Sequence, residues 1–221
     1  MLRIRLKVPG INDKKNLLIC VLVNSNGLTG ITSMSKSLQS GVAYCASGNN
    51  VREMFGALVH HEAGGHGFAF LSDEYSPKTG SPSQAFIDEY NMLSRNYGWY
   101  SNVDFTNDPD KVKWSAFLND DRYKDEVGIF EGGATFMNGV YRPSQNSIMK
   151  TSMEEHFNAP SRWAIYKRIM ELSGETASFE KFLEYDAVNR ASASSAAKPP
   201  LKAAAAPERK IWYLNPPVVV Q

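Results

Sequence analysis

The chain has 221 residues, 43% hydrophobic and 21% charged, the proportions of a folded globular protein. Its 24 basic and 23 acidic residues are interspersed and leave a formal net charge of +1, which argues against nucleic acid as a partner. The longest apolar run, "LLICVLV" at 17–23, is far too short to span a bilayer.

In chain order, "MLRIRLKVPG" alternates Leu2, Ile4, Leu6 and Val8 with Arg3, Arg5 and Lys7. That is a strand with one wet face, and no signal peptide is visible in it. After the turn "INDKKN", the run at 17–23 reads as a buried strand. "NSNGLTGITSMSKSLQSG" reads as loop with room for one short strand, and "VAYCAS" as a further strand. Cys20 and Cys45 are either one disulfide or two buried thiols. "GNN" supplies Asn caps for a helix starting near Val51, with Val51, Met54, Phe55, Leu58 and Val59 on one stripe. A second helix is expected over 82–95, with Phe86, Tyr90 and Leu93 on one face.

Residues 96–147, rich in Gly, Asn, Asp and aromatics, read as long loops that shape a cleft. A last helix follows Asn158 as cap, with Pro160 in its first turn and Gly174 as stop. The Ala, Ser and Pro composition of "ASASSAAKPPLKAAAAP" is that of a linker. The expected organisation is one α+β domain over 1–190, a linker over 191–208, and a segment over 209–221 that docks back or starts an incomplete module. A monomer is expected.

Three of the four histidines stand in "VHHEAGGHGFAFLSDEY". This nearly spells the helical zinc motif HExxH, with three residues rather than two before the last histidine. On a regular helix Glu62 falls within the core stripe, His61 borders it and His60 points away; His66 lies about 140° round from His61, too far to share an ion. One extra residue in that turn reduces the gap to about 40°. Gly64–Gly65 is where a helix distorts most readily, so the glycines and the spacing explain each other. A catalytic zinc needs a third protein ligand, and Asp73 and Glu74 follow at the right remove. One acid would bind and the other could hold an imidazole in place, with Gly67 letting the chain turn back.

"HEAGGHGFAFLSDEY", followed by "FEGGATFMNGVYRPSQNSIMK", resembles the bacterial peptidase family named for immunoglobulin A proteases, over about 17–169. The resemblance implies a metzincin-like domain: a small twisted mixed sheet, a helix bearing the motif, a C-terminal helix, long cleft-forming loops and a methionine turn at Met149. It implies a zinc-dependent endopeptidase with one catalytic ion on His61, His66 and Asp73 and Glu62 as general base. Its partner would be a protein or peptide substrate, and its location secreted or at the cell envelope. Tyr141, in "GVYRP", is the candidate donor to the carbonyl oxygen of the bond being cut. Arg142 reads as a structural clamp on an Asp or Glu, with a substrate carboxylate as the alternative partner; Tyr75 reads as a packing residue of the turn, and His156 as a solvated surface group before a rival ligand. Two rival readings remain: a zinc-retaining binding module without catalysis, and a dipeptidyl-type exopeptidase. The exopeptidase would need a further acidic ligand helix, which is not visible.

Overall fold

The computed structural model describes residues 13–26, 30–48, 54–151, 153–190 and 216–220. The strand expected within the first ten residues and the linker lie outside the described residues. Four strands form one mixed sheet in the order β1 (Leu18–Val23), β3 (Ser40–Ala46), β2 (Gly30–Ser35) and β6 (Val218–Val220). β2 and β3 are antiparallel, with Gly30 opposite Cys45 and Ser35 opposite Ser40. β1 runs parallel to β3, and β6 parallel to β2.

In β2 the side chains of Thr32 and Met34 are buried while Ile31 and Ser33 are half-buried, the period of two expected for a strand with one face on the core. β1 is less buried than its apolar run implies. It is an edge strand among the described residues, and Leu22 is 60% exposed. Cys20 and Cys45 sit on the neighbouring strands β1 and β3 as free thiols, the first exposed and the second buried.

Against the sheet lies a continuous helical rod, α1 (Phe55–Val59) followed by a π-helix over His60–Phe68. The approach is close: a Cβ on Gly41 would fall 2.6 Å from the Gly67 Cα, and one on Gly30 would fall 2.6 Å from the Glu62 Cγ. α2 (Gln84–Tyr97) starts on Ser83, whose hydroxyl accepts from the Phe86 N–H, and ends at Gly98, with φ +71°. Its inner face joins Met34, Phe70, Trp99 and Tyr100 in one core cluster.

The stretch expected to be loop contains a hairpin, β4 (Phe130–Gly133) with β5 (Phe136–Arg142), and the short helix α3 (Ser115–Leu118). α4 (Ala159–Leu172) opens as expected, with the Asn158 side chain accepting from the Ser161 N–H and a proline in the first turn. α5 (Phe179–Tyr185) closes a second core cluster around Trp114, Phe117, Tyr123 and Phe182. Arg162 of α4 ties this half together through Glu126 at 2.9 Å and Asp186 at 2.7 Å. No helix among the described residues is long and apolar enough to cross a membrane.

Candidate metal centre

The helix widens as the spacing requires, and over more than one turn. Nine residues take up the π form, the Ala69 N–H reaching the Gly64 carbonyl five residues back at 3.1 Å. That period puts residues five apart on one side of the rod. The His61 and His66 rings therefore meet edge to face, with centroids 4.7 Å apart.

The chain then reverses at Phe70 rather than at Gly67. Phe70 has φ +53°, a conformation that strains a side-chain-bearing residue and persists only where its surroundings hold it. The Phe70 ring stacks on Trp99 at 4.6 Å, and its carbonyl accepts from the Tyr100 N–H at 2.9 Å. Beyond the reversal the buried Asn102 amide grips Ser72 on both sides, accepting from its N–H and donating to its carbonyl, each at 2.8 Å. Asp73 is thereby delivered to the histidines.

Three acceptor atoms converge. His61 Nε2 and His66 Nε2 are 3.1 Å apart, and Asp73 Oδ1 lies 3.2 Å from the first and 3.1 Å from the second. The other ring nitrogens are committed: His61 Nδ1–H donates to the Ile148 carbonyl at 2.8 Å and His66 Nδ1–H to the Leu71 carbonyl at 2.7 Å. That tautomer turns both Nε2 lone pairs inward. Three lone pairs facing one point in a dry site repel unless a cation or proton sits among them. The fit to a metal is good. A tetrahedral ion with bonds of about 2.0–2.1 Å has donor atoms about 3.3 Å apart, close to the triangle seen. All three residues are at most 1% exposed.

The electrostatics agree. Burial pushes His66 down, but the Asp73 carboxylate, its hydrogen bond, Glu62 and the Leu71 carbonyl outweigh it and lift the imidazole to about 9. Burial pushes Asp73 up, yet the two imidazoles hold it below the usual carboxylate range.

Glu62 is completely buried on the same wide turn. Thr32 of β2 donates its hydroxyl to Glu62 Oε2 at 2.6 Å, and Oε1 has no partner among the described residues. Burial raises its affinity for a proton, opposed by His61, His66 and Thr32 and assisted by Asp73. Asp73 Oδ2 is likewise buried, with no hydrogen-bond partner among the described residues.

Glu74, the neighbouring acid, goes elsewhere. It accepts from Ser147 Oγ at 2.6 Å, from Asn102 Nδ2 at 2.9 Å and from Asn158 Nδ2 at 2.9 and 3.1 Å. Its N–H donates to the Met149 carbonyl at 2.8 Å. Glu74 thus pins the turn whose Ile148 carbonyl orients His61. Met149 is fully buried beneath the π-helix, and its sulfur occupies the space that a Cβ on Gly65 would need.

The remaining expected residues fall as follows. Tyr141 stands on β5, half-buried; its backbone bridges to Asp104 and its ring packs beside the cluster of Trp114 and Phe117. Arg142 clamps the backbone carbonyls of Glu131 and Gly132. His60 and His156 are exposed. Tyr75 packs, as expected, in the core cluster of Ala43, Cys45, Leu58 and Ala63, and burial and the Asp73 carboxylate both push its phenol up. Two contributions had no signal in the motif. Thr32 is thirty residues before Glu62, and the Ile148 carbonyl is a backbone group eighty-seven residues from His61.

No curated protein matches the chain. A family model described as IgA Peptidase M64 matches residues 115–169, about a quarter of the chain. That stretch contains Tyr141 and Met149, while the histidine cluster precedes it. The match supports the resemblance read from the motifs: this chain is similar to the IgA peptidases M64, a family of peptidase hydrolases, and its His61, His66 and Asp73 form a cluster that could hold a metal.

Proposed function

We propose that the chain is a zinc-dependent endopeptidase of metzincin-like architecture, acting on protein substrates through Glu62 as general base. The observation that carries this reading is the inward triangle of His61 Nε2, His66 Nε2 and Asp73 Oδ1, each imidazole fixed from behind by a backbone carbonyl. A zinc ion held there would lower the pKa of its water from about 15.7 towards about 7 and polarise the substrate carbonyl.

The chain's own groups supply the rest. Glu62 receives the proton of the attacking water at Oε1, the oxygen that Thr32 leaves open, and delivers it to the departing amine nitrogen. The buried setting suits that role, because it strengthens the carboxylate's hold on a proton while Thr32 keeps its geometry. Tyr141 is assigned as donor to the carbonyl oxygen from its place in "GVYRP" within the matched stretch. A secreted or cell-envelope location rests on the family resemblance alone. The rival binding-module reading leaves a fully buried acid, one oxygen of which has no partner among the described residues, beside the candidate metal site and gives it nothing to do.

Glu62→Gln tests the assignment. Cleavage of casein should fall by about 10²–10⁴-fold with zinc content unchanged. Undiminished cleavage would remove Glu62 as the base, and a zinc-free chain with full activity would remove the metal.

A further inference from the structure

A cavity of about 340 Å³ lies where the β2–β3 turn, the reversal at Phe70, the end of α2, one side of α4 and the α4–α5 connection meet. Its size falls at the small end of the range for ligand pockets, about 300–1,000 Å³. None of His61, Glu62, His66 and Asp73 lines it, so it is separate from the candidate metal centre. The wall is held in place. The Phe70 ring stacks on Trp99 at 4.6 Å, and the Arg168 guanidinium lies 5.3 Å from the same ring. Ala69, Ala164 and Ala177 contribute only methyl groups to the lining and leave room, while Tyr97, 43% exposed, offers an aromatic ring.

The charges of this lining are incompletely matched. Buried Arg168 donates from Nη1 to Glu171 at 2.8 Å, and from Nη2 to Asn16 Oδ1 at 2.7 Å and the Gln39 carbonyl at 3.2 Å. That leaves its Nε–H, a buried donor with no partner among the described residues, which is costly to leave unmade. Lys167 and Glu175 form no ion pair among the described residues, with each other or with a third group. Half-buried Lys167 only places its Nζ 5.5 Å from the Trp163 ring centroid, and burial pushes its amine down with no acid to oppose it. α2 also ends here, at Gly98, and the carbonyl end of a helix favours a cation. One cavity therefore holds an unanswered positive side and an unanswered negative one.

We propose that this cavity binds a dipeptide with an apolar side chain, its carboxylate at Lys167 and Arg168 and its ammonium at Glu175. Because Lys167 and Glu175 do not reach each other, a ligand that answers both must hold its own charges apart. A dipeptide does so, with a peptide unit between its termini. A phosphate or a dicarboxylate would bring a second negative charge against Glu171 and Glu175 and be repelled. The ligand's side chain lies along Tyr97. That such a dipeptide is a cleavage product rests on the peptidase reading; the site itself rests on the cavity.

The test titrates alanyl-phenylalanine into the full chain, stripped of metal by chelator, in an isothermal calorimeter. The parent should bind it saturably, losing about fivefold in affinity when the carboxylate is amidated and about threefold when the amine is acetylated. Lys167→Met should bind the dipeptide and its amide alike, and Glu175→Gln should bind the dipeptide and its acetyl derivative alike. Glu175 is exposed, so its variant folds and decides the matter even where Lys167→Met does not. No saturable binding by the parent, or preferences for the free carboxylate and free amine that survive these substitutions, overturns the proposal. A parent that cleaves no casein with zinc present, yet shows both preferences, sinks the peptidase reading and keeps the site. A parent that cleaves casein and binds no dipeptide does the reverse.

Discussion

Asp73 and Glu74 are adjacent, both carboxylates and both buried, yet they end in opposite environments. Asp73 meets two imidazole nitrogens that are already committed to backbone carbonyls on their far side, and its second oxygen has no partner among the described residues. Glu74 meets a hydroxyl and two side-chain amides, all donors. Where acceptors converge, the site is complete only when a cation or proton joins it; where donors surround an acid, the site is complete as it stands. Burial raises Glu74, and its Ser147, Asn102 and Asn158 donors counter this only in part, whereas the imidazoles carry Asp73 below the ordinary range. One acid belongs to a cluster that could hold a cation, and the other is tied into the architecture.

The largest effect should come from breaking the converging-acceptor site. His66→Ala or Asp73→Asn removes one of the three groups proposed to hold the ion, so zinc retained after dialysis should drop from about one ion per chain to a small fraction, and casein cleavage with it. The fold should survive, read as an unchanged far-ultraviolet circular dichroism spectrum. Full zinc occupancy in both variants would mean that the ion binds elsewhere.

Glu74→Ala should give the converse. It strands the Ser147 hydroxyl and the Asn102 and Asn158 amides in a dry interior, at about 3 kcal/mol or more. That corresponds to a fall in melting temperature of about 10 °C for a domain of this size. Zinc affinity should weaken less than with Asp73→Asn, through loosening of the Ile148 carbonyl behind His61. A variant that melts like the parent but loses its metal outright would erase the contrast between the two acids.

The smallest effect reverses the sign of the charge. Burial presses Lys113 down to about 8, with Asp104 opposing, and its ammonium donates to the Tyr100 carbonyl at 3.1 Å. A lysine depressed in the folded state costs stability below pH 8, and that cost is relieved as pH rises towards the unfolded value near 10.5. Between those values the unfolded chain binds more protons, so this lysine's contribution makes stability climb with pH. Urea midpoints from pH 8 to 9.5 should rise more steeply for the parent than for Lys113→Met. Parallel curves would show that the lysine is better solvated than its surroundings imply.

Much of the site was legible because its chemistry is local in sequence. The odd interval between His61 and His66 demanded a widened turn, and the π-helix supplies it; the Asn158 cap and the proline after it announced α4. The hairpin at 130–142 was not legible, because its glycines interrupt the alternation that marks a strand and the segment resembled loop. Gly65 shows a partial reading. Its place in a distorted helix was visible, while the need to admit the Met149 sulfur was not, since that partner is eighty-four positions away.

By itself the sequence determined the residue types of the candidate site, their spacing and the presence of a buried acid between the two histidines, because residue chemistry and helical period are properties of a short stretch. Only the tertiary structure decided which carboxylate reaches the imidazoles, which hydroxyl holds Glu62, which carbonyls set the tautomers and which segment lies on the edge of β2. Each of those depends on groups far apart along the chain being packed within hydrogen-bonding distance. No local pattern encodes such an approach, because it follows from how the whole core closes.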